Sequence, residues 1–120
     1  MEMELNKLTD VLSSVQRHMY EFLDTRSSDA LKNYYQSAEN YRSLIEQLND
    51  EISDDNVKLM ERKIRNMSDN YLDLTYKAIQ AKRGRNVSKY TENFSAAKEL
   101  YEYIKLNIFS LNNQQFKDNS

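Results

Sequence analysis

One histidine, no cysteine and a single glycine leave this chain of 120 residues little with which to do covalent or metal chemistry. His18 stands one position before Met19, at the edge of an apolar stripe, where a lone imidazole reads as a boundary residue rather than a general base or ligand. Di-metal carboxylate bundles need inward Glu residues and Glu-x-x-His pairs on two helices, which one His cannot supply. A histidine-phosphotransfer role fails for want of the Lys and Gly that usually flank the active His. The absence of Cys excludes disulfides, zinc–thiolate centres and thiol chemistry. Serines are plentiful, yet no nucleophile elbow or glycine-rich phosphate loop surrounds one. The Asn-x-Ser triplets at Asn66, Asn86 and Asn93 read as chance in a chain rich in both residues. The sequence therefore offers no catalytic residue, no metal site and no cofactor. What remains is binding chemistry, in the cations Arg26, Lys82, Arg83 and Arg85, the hydroxyls of Ser27 and Ser28, the amide of Asn86, and nine tyrosines.

Helices must position these groups. The chain has no Pro, and its one Gly is Gly84, so long helices meet almost no breaker. Apolar residues fall at Leu5, Leu8, Leu12, Val15, Met19 and Phe22, in steps of three and four that stack on one helical face. The rhythm returns at Leu31, Tyr34, Ala38, Tyr41, Ile45 and Leu48. It runs again from Val57 through Met60, Ile64, Met67, Tyr71, Leu74 and Ala78 to Ala81. The last stripe is Val87, Tyr90, Phe94, Ala97, Tyr101, Ile104, Ile108 and Leu111. Stripes with a mean spacing of about 3.5 residues predict left-handed packing at about 20° between axes. Tyr35, Leu44, Leu72, Tyr76 and Leu100 widen the stripes to the face a bundle core needs.

Each break between stripes carries capping chemistry. Ser27 or Ser28 can cap the second helix, with Asp29 in its first turn, and Ser53 is expected to cap the third. Lys82 and Arg83 with a left-handed Gly84 end the third helix, and Asn86 or Ser88 starts the fourth. The prediction is all-α, an antiparallel up-down-up-down four-helix bundle forming one domain over 1–120. Its helices span about 3–24, 28–50, 54–83 and 87–112, with a frayed tail over 113–120. Apolar runs of at most three or four residues exclude a membrane span or signal peptide within the chain. A net charge of −2 argues against nucleic acid.

In such a bundle both termini and the second connection share one end, while the first and third connections meet at the other. That far tip gathers Arg26, Ser27, Ser28, Lys82, Arg83, Arg85 and Asn86, with Lys77 and Lys89 a turn or two back. Two helix N-termini open there with free N–H groups. Two readings stand side by side. The tip binds a small anion, a carbohydrate or an acidic partner protein, or its cations simply cap helix ends and form a solvated face. For the tyrosines, Tyr34, Tyr41, Tyr71, Tyr90 and Tyr101 are expected to fill core volume with their hydroxyls at the rim. Tyr35, Tyr76 and Tyr103 are less committed to the core and could serve a homodimer face.

Two stretches also carry a resemblance. Phe22-Leu23-Asp24-Thr25-Arg26-Ser27-Ser28-Asp29-Ala30-Leu31, with Tyr34-Tyr35 after it, resembles the extracellular sensor region of YesM-like two-component sensor histidine kinases. So does Ala78-Ile79-Gln80-Ala81-Lys82-Arg83-Gly84-Arg85-Asn86, followed by Lys89-Tyr90. The resemblance implies a domain on the extracellular face of the cell membrane, inserted between two transmembrane helices, with the kinase core elsewhere in the polypeptide. It implies no particular ligand; the expected partner is an unknown small ligand or a solute-binding protein, with the signal relayed through the first and last helices. A free-standing structural or adaptor bundle that binds a partner protein is the alternative.

Overall fold

The computed structural model describes the backbone of residues 5–119 and the side chains of residues 5–114. It is an all-α bundle of α1 (Leu5–Thr25), α2 (Ser28–Glu51), α3 (Asp55–Arg83) and α4 (Val87–Asn119), with a long dimension of 51 Å. Short connections turn each helix back on the one before it, which gives the antiparallel up-down-up-down arrangement. No helix among the described residues is long and apolar enough to cross a membrane. The fourth helix runs on to Asn119, past the end expected at 112, because no Pro or Gly interrupts that stretch. The expected start near residue 3, like Ser120, lies outside the described residues.

Most stripe residues are core. Leu8, Leu12, Val15 and Met19 of α1, Tyr41 and Leu48 of α2, Val57, Ile64 and Tyr71 of α3, and Ala97, Ile104 and Leu111 of α4 are all but sealed from solvent. Two expectations need correction. Val87 is 73% exposed, because it opens α4 at the tip where no helix packs opposite. Tyr35 and Tyr76 do not widen the core but face solvent. Conversely, the core is not purely aliphatic and aromatic, since Gln16, Ser37, Glu61, Ser68 and Thr75 are buried in it.

Those polar groups explain the tyrosines. The hydroxyls of Tyr34, Tyr41 and Tyr71 do not reach the rim. Tyr34 bonds Thr75 Oγ1 at 2.7 Å, Tyr41 bonds Ser68 Oγ at 2.7 Å, and Tyr71 donates to Gln16 Oε1. Thr75 spends its own proton on the Leu72 carbonyl, so Tyr34 must be the donor in that pair. Tyr101, half-buried, meets Ser13 Oγ at 2.9 Å. A buried hydroxyl left unpaired would cost about 1–3 kcal/mol, so each ring needs its partner.

Packing is uneven between the helices. Contacts concentrate within two hairpins, α1 with α2 and α3 with α4, and are sparse across the seam between them. All four tyrosine hydroxyl bonds cross that seam.

The candidate binding site at the distal tip

Two tight turns build the tip, and each places an arginine in the left-handed backbone region. At the end of α1 the N–H of Arg26 returns to the Phe22 carbonyl at 2.7 Å, with Arg26 at φ 58°. At the end of α3 the N–H of Arg85 returns to Lys82 O and that of Asn86 to Ala81 O, with Arg85 at φ 59°. That pair of bonds is the Schellman arrangement, whose left-handed position is usually glycine. Gly84 sits one residue too early, at φ −84°, so the left-handed glycine expected from the sequence is instead Arg85. Ser27 then caps α2 by accepting from the N–H groups of Asp29 and Ala30, and Asn86 caps α4 by accepting from Lys89. At the opposite end, the cap of α3 is Asp54 rather than Ser53, since Asp54 Oδ1 accepts from the Asn56 N–H at 2.9 Å.

Four of the seven expected tip residues line one cleft of about 370 Å³, namely Arg26, Lys82, Arg85 and Asn86, together with Ala81, Val87 and Tyr90. Ser27, Ser28 and Arg83 are not part of that lining. The Ser27 hydroxyl is occupied as a cap.

The cleft's cations divide between structure and availability. Arg26 Nη2 donates to the Lys82 carbonyl at 2.7 Å, so a cation from the first turn caps the C-terminus of α3. Lys82 Nζ lies 4.8 Å from the centre of the Tyr90 ring, a cation–π distance. Arg85 has no such partner among the described residues and is exposed. The arrangement suits a carboxylate or phosphate against the guanidinium groups and a small apolar group against Val87 and Tyr90. By spacing Val87 and Tyr90 belong to the core stripe, and only the position of the turn relative to the helix ends reveals them as cleft walls.

No protein-family model matches the chain, and no curated protein matches it. Among solved structures it is similar to a chain of the XylFII–LytSN complex. The two share 18% sequence identity and superpose with a TM-score of 0.82, over 89% of this chain and 88% of that one. At that identity the likeness establishes the fold.

Proposed function

We propose that this chain is the extracellular sensing domain of a membrane-anchored sensor histidine kinase, of the YesM-like kind its distal stretches resemble. The observation that carries the proposal is the near end-to-end superposition on a chain of the XylFII–LytSN complex. We read that chain as LytSN, the amino-terminal sensor segment of a histidine kinase, and XylFII as a solute-binding protein docked on it. On this reading the present bundle also takes a solute-binding protein, or a small ligand, at its basic tip. The cations Arg26, Lys82 and Arg85 favour an acidic patch on that partner. The signal leaves through α1 and α4, whose outer ends lie together at the opposite end of the bundle.

Reading the coding DNA on both sides of this segment is the first test. Flanking transmembrane segments followed by a kinase core are expected. Stop and start codons close to both ends would overturn the kinase reading. Where a solute-binding protein is encoded beside it, titration calorimetry with the 120-residue chain should give saturable binding. The double variant Arg26→Gln, Arg85→Gln should weaken it by about tenfold or more, on the scale of about 1.4 kcal/mol per factor of ten. Unchanged affinity would move the interface away from the tip.

The adaptor reading keeps one specific observation. Tyr103, Leu106 and Phe109 are 52%, 62% and 64% exposed on the solvent side of α4, an apolar strip that a partner helix could cover.

A further inference from the structure

The seam between the hairpins opens into a second cleft on its α2–α3 side, of about 490 Å³, lined by none of the tip residues. Ala38 and Leu72 form its apolar floor beside the buried Tyr34 ring. Tyr35 of α2 and Tyr76 of α3 line it too, 41% and 48% exposed. Three carboxylates line the cleft, Glu39, Asp69 and Asp73, against the one guanidinium of Arg42. Two of the three are matched. Arg42 Nη1 donates to Glu39 Oε2 at 2.9 Å, and Lys77 Nζ pairs with Asp73 Oδ2 at 2.8 Å. Asp69 has no such partner among the described residues.

Tyrosine rings and an unmatched carboxylate in one concavity select for positive charge. A ring's negative face attracts a cation within about 6 Å, more strongly as the site is desolvated. Low-dielectric walls around an excess of one sign concentrate the field on the opposite sign. The cleft's size falls within the range of about 300–1,000 Å³ usual for small-ligand sites. An anion would meet like charge at Asp69, and an apolar ligand would strip water from that carboxylate without replacing it. We infer that the α2–α3 groove binds the ammonium or guanidinium group of an organic cation, held between Tyr35 and Tyr76 with Asp69 as its counter-ion. Because the walls belong to different hairpins, occupancy ties the two across the seam. The inference stands apart from the kinase reading and from the tip.

The test is an NMR titration of the 120-residue chain with agmatine, which carries both cationic groups. Methyl glucoside is the neutral control, and a terminally blocked tripeptide with a central arginine presents the same guanidinium as a protein would. Agmatine should shift the Ala38, Leu72, Tyr35 and Tyr76 resonances and saturate at about 1 mM or below, the equivalent of about 4 kcal/mol. If only the blocked peptide saturates, the cation is one delivered by a partner protein, and the proposal holds in that form. Asp69→Asn, a change at an exposed position, should weaken binding by about tenfold without altering the thermal melt. Tyr76→Leu should do the same. Failure of both cations to saturate, equal binding of methyl glucoside, or an Asp69→Asn variant with parental affinity would each overturn it.

Discussion

Arg85 occupies a backbone conformation that Gly84, one residue earlier, could have taken without strain. A non-glycine residue in the left-handed region costs about 1–2 kcal/mol. A glycine there would lose about 0.4–1 kcal/mol of that gain to unfolded-chain entropy. Arg85→Gly should therefore raise stability by about 0.5–1 kcal/mol, read as a higher urea midpoint at unchanged slope. Gly84→Ala should be neutral or mildly stabilising. Its Cβ would stand 3.4 Å from the Gln80 carbonyl, and φ is negative there. A large loss in either variant would contradict this account of the turn. The composition announced a glycine stop near residue 84. Which residue becomes left-handed depends on where the last helical hydrogen bond falls, and a one-residue difference lies below what spacing resolves. Tyr34, Tyr41 and Tyr71 were legible as core, but not as hydrogen-bond partners of Thr75, Ser68 and Gln16. Those partners lie on other helices, at separations no local pattern encodes. They leave a pH signature. Burial pushes the Tyr34 hydroxyl up to about 12, with the Thr75 bond pulling partly back, and burial raises Tyr41 and Tyr71 as well. A raised pKa means that the native state holds its proton more tightly than the unfolded chain. The associated stability is therefore complete below about pH 10, the ordinary tyrosine value, and is lost as pH rises above it. The urea midpoint should stay level from about pH 8 to 9.5 and fall between about pH 10 and 12. Tyrosinate absorbance from the buried rings should appear only with unfolding.

Elements are held at their ends as much as along their stripes, and the α2–α3 connection shows how. Lys58 Nζ donates to Asn49 O, Asn49 Oδ1 and Ile52 O at 2.9–3.2 Å, which satisfies carbonyls at the end of α2 with a cation from the start of α3. Arg65 also donates to Asn49 Oδ1. Beneath them lies Glu61, fully buried, its carboxylate making no hydrogen bond. Its nearest cations are Lys58 at 3.6 Å and Arg65 at 3.8 Å. Desolvating a carboxylate is expensive, and ion pairs without hydrogen bonds repay it poorly. Glu61→Met should thus be neutral or stabilising by about 1 kcal/mol, because Lys58 and Arg65 keep their other acceptors. Lys58→Met should cost about 3 kcal/mol, since it strips the buried charge of a partner and leaves helix-end carbonyls unpaired. Chemical denaturation of both variants decides it; a Glu61→Met loss exceeding that of Lys58→Met would mean the carboxylate supports the connection. Helix existence was readable from period alone. Glu61 was not, because it stands beside the apolar positions Met60 and Ile64 and reads as solvent-facing until α3's orientation in the bundle is known.

At the scale of the molecule, the heptad rhythm specifies that four helices pack but not how evenly. The structure divides them into two hairpins, whose shared surface is sparse and joined by directional bonds. Tyr34 and Tyr41 are seven residues apart on α2, as are their partners Thr75 and Ser68 on α3, so one heptad register is pinned twice. Tyr71 to Gln16 and Tyr101 to Ser13 pin α1 against the second hairpin. Apolar side chains tolerate small slides, whereas a hydroxyl is either paired or not. On the proposed sensing function, the seam is the surface along which α1 and α4 would shift as discrete units, by the 1–2 Å or so typical of interface helices. Tyr71→Phe with Tyr101→Phe should loosen that seam without touching packing inside either hairpin. The absence of native Cys allows nitroxide labels at the exposed positions Arg17 of α1, Lys98 of α4 and Ser43 of α2, each replaced by Cys. In pulsed electron resonance, the 17–98 distance distribution of the double variant should broaden by about 1–2 Å while the 17–43 distribution keeps its width. Equal broadening of both pairs would mean the hairpins are not units. No broadening of either would mean that apolar packing alone holds the register, and α1 and α4 would then have no seam along which to carry a signal.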